Sequence, residues 1–283
     1  TVLNSDGFAN ASVNYYVNAP INLASTGSFS TKKGVDAPTI YEIITNIGNQ
    51  NSSNDGTLQG IRGGTSGGFF DGNYVINSTN NYVLGENVEA SATVSWNSGE
   101  GFKPIGGETE PNGNDYFNGN FDGLGHTISG LTINRPNNND IGFFGQAFAA
   151  NIRNLKLSGG SINGRSSVGS LVGLNQSSRI WNASSNMSVT GISEVGGLIG
   201  LNVKNSYIAD SSATGTVTGS IGVGGLIGTS HEGGVDGVAN SYATGNVSGT
   251  SNVGGLVGLS TYTGFTEVRA SGHVIGQDVV GGL

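Results

Sequence analysis

A six-residue phrase returns along the second half of the chain: Val168-Gly-Ser-Leu-Val-Gly173, Val195-Gly-Gly-Leu-Ile-Gly200, Val223-Gly-Gly-Leu-Ile-Gly228, Val253-Gly-Gly-Leu-Val-Gly258 and the start of a further copy, Val280-Gly-Gly-Leu283. A shortened copy, Ile141-Gly-Phe-Phe-Gly145, precedes them. The first residues (141, 168, 195, 223, 253, 280) are separated by 27, 27, 28, 30 and 27 positions. A period of this size marks a solenoid, because each unit is too short to bury an apolar face except against its neighbours.

A second marker fixes the register. Ile162-Asn-Gly164, Val189-Thr-Gly191, Val217-Thr-Gly219, Val247-Ser-Gly249 and Val274-Ile-Gly276 each begin six residues before the next phrase (168 − 162, 195 − 189, 223 − 217, 253 − 247, 280 − 274). Length variation therefore lies between the two markers. The longest repeat carries its extra residues around His231-Glu-Gly-Gly-Val-Asp-Gly237, a Gly-rich polar stretch expected to protrude as a loop. Counting back from the second marker aligns Ser158, Ser185, Ala213, Ala243 and Ala270 in one column, and Gly160, Met187, Gly215, Gly245 and Gly272 in another. Small, small and aliphatic at alternate positions is the period of a strand with one tightly packed face. Thr214, Thr216 and Thr218 then point to solvent. Parallel strands need crossovers, yet no run of helix formers is present to supply helical ones. The fold expected is a right-handed parallel β-helix of about 27 residues per regular coil, with the hand taken from the general rule for parallel crossovers.

Composition fits a stacked coil better than a compact enzyme: 51 glycines, which follow the repeat, and only 11% charged residues. No cysteine is present, which removes disulfides and thiolate metal sites. A net charge of −8 with scattered Lys and Arg argues against nucleic acid and anionic membranes as partners. No apolar run reaches the roughly 20 residues of a membrane-spanning helix, so no membrane insertion is expected. Ending inside a repeat, the chain reads as a piece of a longer protein.

Residues 1–140 lack the phrase but contain alternating runs such as Val13–Val17, Tyr74–Ile76, Tyr82–Leu84 and His126–Ile133. They are expected to form less regular coils with long loops, continuous with the regular repeats of 141–283. The segment Thr39–Gly72 is the least regular, and a short helix at Thr39–Ile47 and an elaborated loop are both open there. About ten coils would give a rod on the order of 50 Å.

The Val-Gly-Gly-Leu-Val-Gly phrase with Asn240-Ser-Tyr-Ala-Thr-Gly-Asn-Val-Ser-Gly249 resembles the GLUG repeat of large bacterial surface proteins. Upstream, Asn81–Thr93, Gly101-Phe-Lys-Pro-Ile-Gly106 and Phe117–Leu131 resemble the segment leading into such repeats in filamentous-haemagglutinin-type, two-partner secreted adhesins. The resemblance implies a secreted or cell-surface adhesin stalk. The amino-terminal secretion domain of such exoproteins is not recognisable here.

Chemistry-bearing patterns are sparse. GLUG repeats also accompany immunoglobulin A peptidases, but those need His-Glu-x-x-His, and His231-Glu232 is followed by Gly-Gly-Val. A polysaccharide lyase or hydrolase, the enzymatic alternative, needs clustered carboxylates. Glu108, Glu110 and Asp115, or Glu232 and Asp236, are the available groups, all in Gly- or Asn-rich loops; Asp140, Glu194, Asp210, Glu267 and Asp278 do not recur in one column. Asn118-Gly-Asn-Phe-Asp-Gly123 begins like a calcium loop but has Ser129 at the closing position, so a structural Asx turn is expected. No catalytic residue, cofactor or metal site is assigned. His231, Glu232 and Asp236 are the candidate ligand-binding positions, and Trp96, Trp181, Tyr207, Tyr242 and Tyr262 the candidate aromatic contacts. Expected partners are a host glycan or surface receptor, or copies of the chain stacked end to end as a structural filament.

Overall fold

The computed structural model describes residues 2–5, 17, 19–33, 35–52, 56–61, 64–65, 67–70, 73–75, 81–107 and 115–282, with Val235 and Asp236 among those described by backbone alone. The alternating run at Val13–Tyr16 falls outside them.

The fold is a parallel β-solenoid. Val168 pairs with Val195, Val195 with Val223, Val223 with Val253 and Val253 with Val280, with Ile141 beneath Val168. The second marker stacks in the same way, from Ile133 through Ile162, Val189, Val217 and Val247 to Val274. Each marker thus builds its own six-stranded sheet along one side of the coil. Nearly all of these side chains from residue 133 to residue 253 are fully buried, so one continuous thread of aliphatic groups runs along the axis.

The remaining strands form a long face. Its levels are Thr39–Ile44, Asn81–Leu84, Asn120–Asp122, Asn151–Ser158, Arg179–Ser185, Tyr207–Ala209 with Ser212–Ala213, and then the later parts of Ile227–Ala239 and Val257–Thr266. Among the described residues these eight levels, seven steps of about 4.8 Å, span about 34 Å, against the ten coils expected. Long excursions in the first half consume the difference: Tyr82 to its partner Phe121 takes 39 residues (121 − 82), whereas Ile152 to Ile180 takes 28. Thr39–Ile44 is a strand, neither the helix nor the loop left open by its sequence. Phe29–Lys33 adds to its outer edge antiparallel, and Val2–Ser5 pairs parallel with Phe29–Lys33 in turn, so the sheet continues past the reversal.

Glycine is required where backbones close on one another. A Cβ on Gly196 would lie 2.5 Å from the Gly228 nitrogen, and the equivalents on Gly169 and Gly224 2.7 and 2.6 Å from those of Gly200 and Gly258. The first and last glycines of the phrase are therefore partners in successive coils. Corners turn on three columns of positive φ: Asp140, Ser167, Glu194, Gly222, Asn252 and Val279; Asn154, Asn182, Asp210, Asn240 and Glu267; and Ala149, Ser177, Lys204, Glu232 and Tyr262. Short polar residues predominate because they tolerate the left-handed region at least cost.

Two readings from the sequence are corrected. Ser185 pairs with Leu157 and not with Ser158, since the coil below holds one more residue at the turn of Gly159 and Gly160, whose φ values are 65° and 81°. The stretch around His231–Gly237 is no separate protruding loop. It continues the strand Ile227–Ala239, and its three extra residues relative to Val257–Thr266 (13 − 10) are taken up as irregularities between His231 and Gly234 and between Gly234 and Val238. Backbone bonds from Asn205 N–H to the Glu232 carbonyl (2.7 Å) and from Lys204 N–H to the His231 carbonyl (3.2 Å) hold it down.

Candidate ligand groove on the long face

One outward column of the long face crosses seven coils in strict register. Asn87 is followed by Thr127, which pairs with Lys156, then Ser184, Ser212, Tyr242 and Arg269. The inner neighbours Leu157, Ala213 and Ala243 are buried, so the strands cannot rotate without exposing the core. Small serines in the middle of the column, between Lys156 and Tyr242, leave a depression along the solenoid. Its larger part, about 440 Å³, is lined by Lys156, Ser184, Ser212, Thr214 and Tyr242 among others; an adjoining part of about 280 Å³ shares Thr127, Lys156 and Ser184 and extends to Asn154, Asn182 and Pro20.

The walls are fixed by hydrogen bonds. On one side Asn182 Nδ2 donates to Asn154 Oδ1 (2.7 Å), and Asn154 Nδ2 to Asp122 Oδ1 (3.0 Å). Opposite, the Asn186 Oδ1 accepts from Gly159 N–H at 2.6 Å. The amino-terminal end is walled by Val17, Ala19 and Pro20. That segment is tied across the coils by Ile21 N–H to the Leu124 carbonyl (3.1 Å), Leu23 N–H to the Gly85 carbonyl (2.8 Å) and the buried His126, whose Nε2 lies 2.9 Å from the Ile21 carbonyl. At the other end Arg269 lies 4.8 Å from the Tyr242 ring centroid, and the ring itself lines the groove.

The residues singled out in the sequence stand elsewhere. His231, half-buried, has Nδ1 2.5 Å from Thr261 Oγ1, and the exposed Glu232 occupies a corner with φ 53°. Neither lines the groove, and the side chains of Asp236, Glu108, Glu110 and Asp115 lie outside the described residues. Among the described residues no three of His, Asp and Glu come close enough to hold a metal ion. Asp122 makes the expected Asx turn, its Oδ1 accepting from Leu124 N–H at 2.9 Å, and also an ion pair absent from the sequence reading. Of the aromatic candidates, Trp181 is buried, Tyr262 is exposed at a corner, and Tyr242 belongs to the groove.

The corner carboxylates fall in two columns instead of one: Asp140 and Glu194 lie in the first, with Ser167 between them, and Asp210 and Glu267 in the second, with Asn240 between. Ser167 Oγ donates to Glu194 Oε2 (2.7 Å) and Gln146 Nε2 to Asp140 Oδ2 (2.8 Å). Burial pushes the Asp140 carboxyl above its ordinary value and the Glu194 charge adds to this, against the opposing hydrogen bonds. A carboxyl whose folded pKa is raised supports folding most below its unfolded pKa and loses that support as pH rises through the folded pKa. Asp140→Asn keeps an acceptor, removes the charge and suits a φ of 56°. It should melt higher than wild type at pH 7, with the difference vanishing below about pH 4. Equal melting temperatures throughout would contradict the assignment.

No family model matches the chain. It is 41% identical over 97 residues to halomucin of Haloquadratum walsbyi, a match covering 33% of this chain and 1% of halomucin. Among solved structures it is similar to a Bacteroides ovatus protein described as a candidate immunoglobulin A1 protease, with a TM-score of 0.53 and 20% identity over 69% of this chain and 60% of that one. This chain thus spans less than two thirds of either protein, and the structural likeness shows the fold alone. No helix among the described residues is long and apolar enough to cross a membrane.

Proposed function

We propose that the chain is part of a secreted, surface-associated adhesin of the GLUG-repeat, filamentous-haemagglutinin-like kind, in which the solenoid is a non-catalytic stalk and the long-face groove an attachment surface. The observation carrying this reading is the groove's construction, a single outward column held by buried ladders on either side, a rigid platform that presents side chains for contact. Similarity to halomucin supports a surface location.

The column from Asn87 to Arg269 contains no carboxylate, whereas a lyase or hydrolase would need at least a pair in the groove. That favours binding without turnover. End-to-end filament assembly would need strands running the same way at both ends, whereas Phe29–Lys33 meets Thr39–Ile44 antiparallel and Val2–Ser5 follows the direction of Phe29–Lys33.

The test is a glycan array and a cell-adhesion assay on the whole chain, run beside polysaccharide depolymerisation and immunoglobulin A cleavage assays. Binding with no bond cleavage is the expected result. Cleavage that persists through purification would overturn the stalk assignment.

A further inference from the structure

We infer that the groove takes an extended oligosaccharide bearing an anionic group, lying along the solenoid axis with its acid at Lys156 and a sugar face on Tyr242. The inference rests on the attachment reading above and specifies its ligand. Three observations carry it.

First, the spacing is that of an elongated ligand. Lys156 and Tyr242 are three coil steps apart in register, about 14 Å, with only Ser184 and Ser212 between them. A globular metabolite would leave one end of such a trough unfilled. Second, the lining chemistry is that of a sugar site. Ser184, Ser212, Thr214 and Asn182 offer hydroxyls and an amide along the trough, and Tyr242 offers an aromatic face at its end. Sugar rings present apolar C–H faces to an aromatic ring and hydroxyls to flanking polar groups, the mix of one aromatic platform and a few placed hydrogen-bonding groups typical of a specific pocket. Arg269 stacked on Tyr242 steadies the ring from the side away from Ser212.

Third, the charge in the groove is opposite in sign to that of the protein. The chain as a whole is acidic, with a net charge of −8, yet Lys156 is the charged residue lining the groove and no carboxylate lines it. Its ammonium is exposed and flanked by Thr127 and Ser184, neutral neighbours above and below. A carboxylate or sulfate on the ligand would complete a charge-assisted contact there, while the surrounding negative field repels polyanions from the rest of the surface.

The test uses the whole purified chain and three oligosaccharides of equal length: one with carboxylates, one with sulfates and one neutral. Calorimetric titration should show that at least one anionic probe binds and that added salt weakens it. Lys156→Met should weaken the preferred anionic probe about tenfold, and by more than it weakens the neutral probe. Tyr242→Leu should weaken every probe that binds. Ser184→Phe, which fills the trough from an outward position, should abolish binding while leaving the β-type circular dichroism spectrum intact. Preference between carboxylate and sulfate identifies the acid. The inference is overturned if neither anionic probe binds, or if Lys156→Met and Ser184→Phe both bind as wild type does. Cell adhesion surviving all three substitutions would remove the groove's ligand and keep the adhesin reading; loss of all adhesion and glycan binding by the wild type would remove both.

Discussion

Asp122→Ala is expected to destabilise the chain by about 3–5 kcal/mol, the usual cost of removing one partner of a buried ion pair. Asp122 is fully buried, and its Oδ2 lies 2.8 Å from Arg153 Nε on the next coil. Its other oxygen accepts from Asn154 Nδ2 and Leu124 N–H, so one carboxylate joins two coils and a turn. Alanine would leave the Arg153 guanidinium in place without its carboxylate, against the Tyr41 hydroxyl (3.3 Å) and the Trp181 ring (5.4 Å to the centroid). The loss should appear as a lower urea midpoint followed by tryptophan fluorescence. Asp122→Leu combined with Arg153→Met should recover most of it, because the larger penalty is the uncompensated charge. A cost below about 1 kcal/mol for Asp122→Ala would mean that solvent reaches the pair.

Gly245→Ala should cost about 3 kcal/mol, the upper range for overpacking a tight interior. A Cβ at this position would fall inside the van der Waals surface of the Gly215 carbonyl oxygen on the coil below. Gly215 and Gly272 face the same obstacle in the carbonyls of Met187 and Gly245. Since the obstruction is backbone held by the inter-coil ladder, it cannot turn aside as a side chain would. Thr244→Ala, one residue earlier and pointing to solvent, is the matched control and should change the midpoint little. If the two variants unfold alike, close backbone approach does not explain the glycine column.

Both sites show which parts of the molecule could be read from sequence. The glycine and aliphatic columns were visible because strand stacking repeats the same steric demand at every coil, so Val195, Val223 and Val253 recur as identical residues. Asp122 and Arg153 were not, because a pair made once, where the coils are irregular, leaves no period. Five buried phenylalanines, Phe102, Phe117, Phe121, Phe143 and Phe144, also pack together in these coils with ring centroids 4.8 to 5.7 Å apart; only Phe143 and Phe144 fall within a recognisable copy of the phrase.

The groove lay between these extremes. Ser184, Ser212, Tyr242 and Arg269 each stand one residue before the small-residue column of Ser185, Ala213, Ala243 and Ala270, so the outward positions carried a signal. Aligning Ser158 instead of Leu157 under Ser185 put Leu157 in line with Ser184 and hid Lys156. A single extra residue at Gly159-Gly160 was enough to conceal the charged end of the site, since side-chain direction in a strand reverses with every one-residue slip.

Phe29–Lys33 runs antiparallel to the solenoid strand it borders, Thr39–Ile44, so strand direction reverses beside the first coils. The aromatic cluster and the Asp122–Arg153 pair lie in the coils near that reversal, so those coils are held by bulky and charged core groups where later ones carry aliphatic side chains. Because each winding is held mainly by its neighbours, trimming windings from the far side should shorten the structure stepwise, read as a proportional loss of the β-type circular dichroism signal.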